Sequence, residues 1–339
     1  MILYNAANIE PLQKIENHFD SELNDQEDVQ DVKDVKQALE KTGLNVRTLN
    51  LKNSDSKITA ALEKIQPDVI FNLCVSLHNH PHRSLTEMYV AGWLELLKLP
   101  YTGAPPMPLG LSLNKMRCKQ ILRSSGIPVP PSVYAPIGEK PNLESITPPF
   151  IIKPVREDGS VGITKKSVVG TFQEAEEKIQ FIHGRYKQPA LVEEFIEGRE
   201  FTVVVVDNPP RIFGIGELDF SGLDPTEPKV FSYEAKWNST KREYGTRARF
   251  PAQIETILKN RLEKIALKAF QLLGCRDYAR IDIRVSENRR PYILEVNSNP
   301  DISLNEEFGD AAKVAGIDYN DLIRDIVENA LRRGNKTLT

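Results

Sequence analysis

Apolar and polar residues alternate with two different periods in the first third of the chain. The short apolar runs MILYN, NVRTLNL and PDVIFNLCV are typical of strands, whereas the apolar residues of DVQDVKDVKQALEKTG recur at helical spacing until Gly43. Another helix is predicted over SLTEMYVAGWLELLKLP, where Ser84 and Glu87 have the spacing of a capping box. Strands and helices in alternation predict a parallel sheet with helices on its faces.

The pattern changes twice further along the chain. The proline-rich segments GAPPMP and IPVPP flank the next predicted helix, and from Leu191 onward the two-residue alternation of hairpins dominates. We therefore predict an α/β protein of three units. They are an N-terminal parallel-sheet unit over residues 1–110, and two units of α+β character over residues 111–190 and 191–339.

The bulk composition limits the classes of ligand. With 339 residues and a formal net charge of −3, the chain has no global attraction to nucleic acid or to an anionic membrane surface. An anionic ligand must instead be held by locally placed cations. Cys74, Cys118 and Cys275 lie far apart in sequence, which argues against a disulfide framework and favours a reducing cytoplasm. Without a signal peptide or an apolar run of about 18 residues, we expect a soluble protein.

Two strand-like runs near the C-terminus, YARIDIRV and PYILEVNSNP, carry polar side chains at alternate positions. Because side chains alternate between the faces of a strand, Arg280 and Asp282 share one face of the first run, and Glu295 and Asn297 share one face of the second. If the chain folds back at the centre of SENRRP, Asp282 lies opposite Glu295 and Arg280 lies opposite Asn297. A register slip of one residue would separate both pairs.

Two carboxylates that face each other repel and need a cation between them. Two acids and an amide offer hard oxygen ligands that suit magnesium, which takes its remaining ligands from water and nucleotide phosphates. The alternative, about equally well supported by this hairpin alone, is an exposed polar strand face on which Arg280 and Arg284 neutralise the acids.

Three further motifs are weak signals when each is taken alone. PFIIKPVREDGSVGI places Lys153 at the end of an apolar strand before a small-residue loop over 158–162, which suits phosphate but is more often a simple turn. Lys115 stands near a predicted helix start, where a lysine is usually solvated. VEEFIEGREFTV places four glutamates around Phe195 and Ile196, which suits a nucleoside but is more often an acidic hairpin.

Taken together and in order, the motifs are specific. From about Asp68 to Ile326 the chain resembles the ATP-grasp superfamily, D-alanine–D-alanine ligase type, through the blocks LPYTG, NKMRCKQILRSSGIPVPP, IIKPVREDGSVG, VEEFIEGREFTV, YEAKWNS and YARIDIR…PYILEVNSNP. The resemblance implies a three-domain architecture with an ATP cleft between two mainly antiparallel sheets. It also implies a ligase that uses ATP and two magnesium ions, for which manganese can substitute. Such a ligase activates a carboxylate as an acylphosphate for attack by an amine.

The resemblance also assigns roles to matching positions. The residues that would bind the nucleotide are Lys115 and Lys153 at the phosphates, Ser160 in the small-residue loop, Lys236 at the γ-phosphate, Glu193 and Ile196 at adenine through backbone groups, and Glu200 at the ribose hydroxyls. Asp282, Glu295 and Asn297 would hold the metals. Arg280, aided by Lys236, would stabilise charge on the acylphosphate and on the tetrahedral intermediate.

The chain departs from the family on the side that binds amino acids. The family's N-terminal glutamate motif is missing from MILYNAANIEPLQ, where Glu10 is the nearest acid. Asp158, Gly159 and Ser160 stand where the family usually has a pair of serines, so one hydroxyl is lost. Trp237 stands where the family has a tyrosine after YEAK. Asp301 and Glu306 put acids where the family binds an oxyanion and the second substrate's carboxylate, so an anion should be repelled there.

Two other segments are predicted to face the substrates. In CVSLHNHPHRS, Cys74, His78, His80 and His82 offer metal ligands, but we favour solvated side chains in a substrate-side loop, since ligands bind at the carboxyl ends of parallel strands. Arg83 and the histidines are then candidates for contact with the acyl substrate. In the family, the segment from residue 220 to 250 corresponds to a loop that covers the cleft and excludes water.

Three functions remain open from the sequence. We favour an ATP-dependent ligase whose acid, amine, or both, differ from D-alanine. The second is a genuine D-alanine–D-alanine ligase of cell-wall synthesis, and the third is a nucleotide-binding protein that has lost turnover. The expected partners are small-molecule carboxylate and amine substrates and a second copy of the chain as in the family's usual homodimers, with no nucleic acid and no membrane.

Overall fold

The computed structural model describes residues 1–5, 21–51, 56–75, 85–224, 226–233, 235 and 246–336. The helices are α1 (Ser21–Lys41), α2 (Ser56–Ile65), α3 (Thr86–Leu96), α4 (Pro106–Ser112), α5 (Lys115–Ser124), α6 (Phe172–Tyr186), α7 (Thr256–Leu273), α8 (Glu307–Ala315) and α9 (Tyr319–Arg333). The strands are β1 (Ile2–Tyr4), β2 (Thr48–Asn50), β3 (Phe71–Leu73), β4 (Ser132–Ala135), β5 (Phe150–Pro154), β6 (Val168–Val169), β7 (Ala190–Glu194), β8 (Gly198–Val206), β9 (Arg211–Leu218), β10 (Ala248–Arg249), β11 (Tyr278–Ser286) and β12 (Pro291–Asn297).

The N-terminal sheet is parallel, as the alternation of strands and helices predicts. Its order is β2-β1-β3, and apolar residues of α1 pack with the C-terminal helix α9 in one core. The capping-box prediction is wrong: α3 begins at Thr86, and Leu85 precedes it without a side-chain cap. Ser84 lies outside the described residues, and Glu87, in the first turn of α3, is buried.

The central sheet is antiparallel, in the order β4-β7-β5-β6, and α6 covers it. Thr171 and Glu174 form a capping box at the start of α6, which fixes where this helix begins. Strand β7 belongs to this sheet, so the chain passes to the next sheet over residues 195–197, slightly after the predicted boundary near 190. The division into three domains stays a prediction.

The C-terminal sheet is antiparallel, in the order β10-β9-β8-β11-β12. Apolar residues on one face pack against α7, and α8 covers part of the other face. The remainder of that second face carries Glu200 and Thr202 of β8 and the alternate positions of β11 from Arg280 to Arg284. These polar side chains therefore share one surface, beside the central sheet.

The hairpin of β11 and β12 has the register that places its polar residues together. Asp282 pairs with Glu295, and Arg280 pairs with Asn297, as predicted. Nearer the turn the pairs are offset by one position, because the register shifts between Asp282 and Ile283. The turn is thus centred half a residue before the predicted point. The register shift compensates for this difference, so the predicted pairs of Asp282 and Arg280 still form. In the part of the chain that the structure describes, no helix has the length and apolar character needed to cross a bilayer.

Candidate active site

The acid of β11 is held by two neighbours on the same sheet face. The Asp282 carboxylate accepts hydrogen bonds from Thr202 Oγ1 at 2.8 Å and from Arg280 Nε and Nη2, each at 3.1 Å. Arg280 also lies 3.9 Å from the Glu307 carboxylate at the start of α8. Burial would lower the pKa of Arg280, but Asp282 and Glu307 outweigh it and raise that pKa, so the guanidinium stays charged.

The acid of β12 has a different partner. Lys115, the first residue of α5, forms an ion pair with Glu295. Its backbone N–H donates to the Val155 carbonyl at 3.1 Å, which ties the start of α5 to the end of the central strand β5. Burial opposes the charged form of Glu295, yet Lys115, then Lys153 and Arg280, lower its pKa. Glu295 is therefore a carboxylate at neutral pH.

These contacts bear on both interpretations of the hairpin. Arg280 does neutralise Asp282, as the polar-face alternative expects. The face is not an open surface, however, because the side chains of Arg280 and Asp282 are only 11% and 18% exposed. Arg284 bonds Glu200 and neither of the two facing acids. The hairpin acids thus lie in a largely buried, cation-rich position, which is the setting that a metal and phosphate site requires.

A buried charge cluster supports the lysine of the central sheet. Glu193, with 1% of its side chain exposed, lies 2.5 Å from Lys153 Nζ and 2.9 Å from Lys119 Nζ. Burial alone would raise the pKa of Glu193, but the two ammonium groups outweigh it and lower that pKa. Burial lowers the pKa of Lys119 to about 8, against the opposing effect of Glu193. The role of the Glu193 backbone at adenine stays a prediction.

Lys119 is a site residue that sequence reasoning missed. It stands four residues after Lys115, on the same face of α5, and it donates to the Leu294 carbonyl of β12 at 2.7 Å. The four-residue spacing of the two lysines in NKMRCKQ was the available signal.

The small-residue loop of the central unit contacts the segment that follows β9. Ser160 has a left-handed backbone conformation, with φ of 63°, and its hydroxyl donates to the Phe231 carbonyl at 3.0 Å. The Tyr233 N–H donates to the Ile163 carbonyl at 2.9 Å. Lys165, just beyond the loop, forms an ion pair with Glu227. The loop and the segment 227–233 therefore join the two units across the space between the sheets.

A second charged pair lies further along β11. Glu200 forms an ion pair with Arg284, its cross-strand neighbour, and both side chains are buried. The rings of Phe195 and Phe220 lie 5.4 Å and 5.8 Å from the Arg284 guanidinium. Ile196 lies in the short connection next to Phe195, between β7 and β8.

A small cavity of about 10 Å³ adjoins the end of β12. Glu87, Asp158, Glu295, Asn297 and Asn299 are among the residues that line it. Glu87 accepts a hydrogen bond from Asn299 Nδ2 at 2.7 Å. Burial raises the pKa of Glu87 to about 8, and the charge of Asp158 adds to this effect while the Asn299 hydrogen bond opposes it. Sequence reasoning missed the position of Glu87 in this cavity because it assigned the residue to a helix cap.

Several predicted site residues lie outside the described residues. They are Lys236, Glu10, Trp237, His78, His80, His82 and Arg83. Within the described residues, no group of three or more His, Cys, Asp or Glu side chains is arranged as a metal site. The predicted ligand set, Asp282, Glu295 and Asn297, contains two acids and one amide, and its metal binding stays a prediction.

Comparisons with known proteins agree with the geometry. The family model described as "D-ala D-ala ligase C-terminus" matches residues 122–328. The chain is 32% identical to a D-alanine–D-alanine ligase of Carboxydothermus hydrogenoformans, over 86% of this chain and 89% of that protein. It is 31% identical to a Sinorhizobium fredii protein named "Uncharacterized protein y4sG", over 84% of this chain and 83% of that protein. The fold is similar to that of the Bacillus anthracis D-alanine–D-alanine ligase complexed with ATP, with a TM-score of 0.74, 21% identity and 98% of each chain covered.

Proposed function

Since this chain belongs to the D-alanine–D-alanine ligase family of ATP-dependent ligases that form carbon–nitrogen bonds, we propose that it couples a carboxylate to an amine. A carboxylate oxygen attacks the γ-phosphorus of ATP, and ADP leaves. The amine nitrogen then attacks the acyl carbon of the acylphosphate, the bond to phosphate oxygen breaks, and the amine loses a proton. The products are an amide, ADP and phosphate.

The observation that carries this proposal is the convergence of cations on two facing acids. Lys115, Lys153 and Arg280 come from three different elements, and all three act on the pKa of Glu295. A cluster of this kind can position a triphosphate and stabilise the charge that moves during phosphoryl transfer. Lys115 and Lys153 would exchange their carboxylate partners for phosphate oxygens when the nucleotide binds.

The donor set next to these cations fits magnesium. Asp282, Glu295 and Asn297 offer two carboxylates and an amide oxygen on one face of a hairpin, and magnesium prefers oxygen ligands. These side chains would hold the ion, which would supply positive charge to stabilise the phosphates during transfer. We propose two ions, with manganese as a possible substitute. The Lys115 ammonium forms an ion pair with Glu295, so binding of metal and ATP must displace this pair.

We also propose that the acid, the amine, or both, differ from D-alanine. Asp158 lines the cavity beside the metal ligands, and the Glu307 carboxylate lies beside Arg280. Glu306 directly precedes Glu307 in sequence, and its carboxylate pairs with Arg247 at 3.4 Å. A substrate carboxylate would be repelled by this concentration of acids, whereas an ammonium group would be attracted. The arrangement therefore favours a nucleophilic amine without a neighbouring carboxylate.

The alternatives have unequal support. A genuine D-alanine–D-alanine ligase is supported by relatives of that name at about one-third identity. A protein without turnover is disfavoured by the intact cation cluster around Glu295. The three cysteines are buried thiols, which suits a reducing compartment, and we propose the cytoplasm as the location.

One assay separates these functions. The purified protein is incubated with ATP, magnesium and either D-alanine alone or a panel that combines carboxylates with diamines and amino acids. Phosphate release and product mass are measured. We expect release to depend on a carboxylate or an amine other than D-alanine. Efficient formation of the D-alanine dipeptide would refute the altered substrate, and no ATP consumption with any combination would favour the protein without turnover.

A further inference from the structure

Arg284 has an environment that its sequence position does not reveal. It stands two residues after Asp282 on β11, on the same sheet face, and only 4% of its side chain is exposed. Its Nη2 atom donates to the Glu200 carboxylate and, at 2.9 Å, to the Lys229 carbonyl. Its Nη1 atom donates to the Gly198 carbonyl at 3.4 Å. Arg284 thus joins the start of β8 to the segment that follows β9.

The guanidinium also retains an unused donor. Among the described residues, Arg284 Nε has no hydrogen-bond partner although it is buried. A buried donor without a partner is costly, so native proteins rarely leave one unsatisfied. A ligand that brings an oxygen acceptor to this position would remove that cost.

Aromatic rings surround this donor. Phe195 belongs to the connection between the two sheets, and Phe220 follows β9. Their rings lie on the Arg284 guanidinium and exclude water from its ion pair with Glu200. Electrostatic contacts are stronger where water is excluded, so a polar group of a ligand would be recognised strongly here.

The position along the strand identifies which part of the nucleotide comes here. A strand rises about 3.3 Å per residue, so Arg284 lies roughly 7 Å beyond Asp282. If the phosphates lie at Asp282 and Glu295, as the proposed function requires, the next part of ATP at that distance is the ribose. Glu200, the residue predicted to bind the ribose hydroxyls, is the direct partner of Arg284.

We propose that Arg284 is a positioning residue for ribose recognition: it fixes the Glu200 carboxylate in the orientation that accepts the ribose hydroxyls and holds the Lys229 segment over them. This inference rests on the proposed function, since it needs ATP in the cleft. Without the guanidinium, the Glu200 carboxylate loses its orientation and the selectivity for a ribonucleotide falls.

The test compares the binding of ATP with that of 2′,3′-dideoxy-ATP, which lacks both hydroxyls. Dissociation constants are measured by titration calorimetry with magnesium for the wild type and for Arg284→Met, Arg284→Lys and Glu200→Gln. Arg290→Met is the matched control, because Arg290 is an exposed arginine on the same hairpin. We expect the wild type and the control to prefer ATP by about 10- to 100-fold. Arg284→Met and Glu200→Gln should reduce this preference to less than about threefold, and Arg284→Lys should recover part of it.

Each outcome bears on a different claim. A folded Arg284→Met protein that keeps the wild-type preference for ATP would overturn the inference. The pair of Arg284 and Glu200 would then have only a structural role. If Arg284→Met does not fold, Arg284→Lys decides: a full wild-type preference would overturn the inference, and a reduced preference would support it. A wild type that binds both nucleotides equally also overturns the inference, while the proposed function stands. A wild type that binds no ATP defeats the proposed function and the inference with it.

Discussion

The lysines of the site form ion pairs with acids of the protein. Lys115 bonds Glu295, and Lys153 bonds Glu193. Such pairs compensate part of the cost of burying charge and keep the ammonium groups in place. They also compete with the phosphates. Lys119 reduces this competition for Lys153, because it remains as a second counter-ion for Glu193 when Lys153 turns to the nucleotide.

Replacement of Lys119 should therefore be costly. Lys119→Met leaves Glu193 with one buried counter-ion, and we expect the free energy of unfolding to fall by about 3 kcal/mol in urea titrations. The double variant Lys119→Met with Glu193→Gln should recover part of this loss, because an amide needs no counter-ion. Lys140→Met is the control, since Lys140 pairs with Glu176 on the surface and 78% of its side chain is exposed. An equal loss for both single variants would contradict the role of Lys119.

Glu87 gives the protein a pH-dependent stability. In the folded protein, burial keeps this carboxyl protonated up to about pH 8, whereas in the unfolded chain its pKa is 4.5. The unfolded state thus binds fewer protons between these values, so the free energy of unfolding falls as the pH rises through this window. Between pH 5 and pH 8 the contribution is on the order of 3 kcal/mol.

The substitution Glu87→Gln isolates this contribution. The amide oxygen can still accept the hydrogen bond from Asn299, but it does not titrate. We expect the variant to lose less stability than the wild type between pH 5 and pH 8, as measured by urea denaturation at each pH. Parallel pH profiles for the two proteins would show that Glu87 is ionised in the folded state.

At the scale of elements, the start of β8 depends on a single glycine. Gly198 has a φ of 140°, and a Cβ atom placed there would lie 2.0 Å from the Val285 carbonyl oxygen of β11. Strand β8 can approach β11 at this point only because residue 198 lacks a side chain. The close approach places Glu200 opposite Arg284.

Gly198→Ala should consequently disturb the nucleotide site as well as the sheet. We expect a loss of stability of about 2–4 kcal/mol and weaker ATP binding, because β8 must shift and the Glu200–Arg284 pair with it. Gly222→Ala is the matched control, since a Cβ atom at Gly222 would meet no atom within 4 Å. Thermal denaturation and nucleotide titration of both variants measure the two effects. A Gly198→Ala protein as stable as the control would contradict the argument.

At the scale of the whole molecule, the parts that sequence predicts well are those encoded by local pattern and motif order. The ligase family and the mixed fold follow from ordered blocks, and both are confirmed. The pairing of Asp282 with Glu295 follows from strand alternation and a short turn, and it is correct. The assigned roles of the site residues and the domain boundaries stay predictions.

The rest depends on partners that are distant in sequence. Glu87 meets Asn299, and Arg284 meets Lys229, only after the chain has folded. The local spacing of Ser84 and Glu87 suggested a helix cap, but the tertiary contact with Asn299 placed Glu87 in the interior instead. No local pattern reports such contacts, so sequence reasoning had no means to find them.

In the proposed mechanism the hairpin acids hold the metal that brings ATP into this cleft. The most direct test of this role is equilibrium binding of a non-hydrolysable ATP analogue with and without magnesium. Wild type is compared with Asp282→Asn, Glu295→Gln and the control Glu287→Gln, an exposed acid at the turn of the same hairpin. We predict that magnesium tightens binding about 100-fold in the wild type and the control, and hardly at all in the two site variants. Full magnesium dependence in Asp282→Asn and Glu295→Gln would contradict the account.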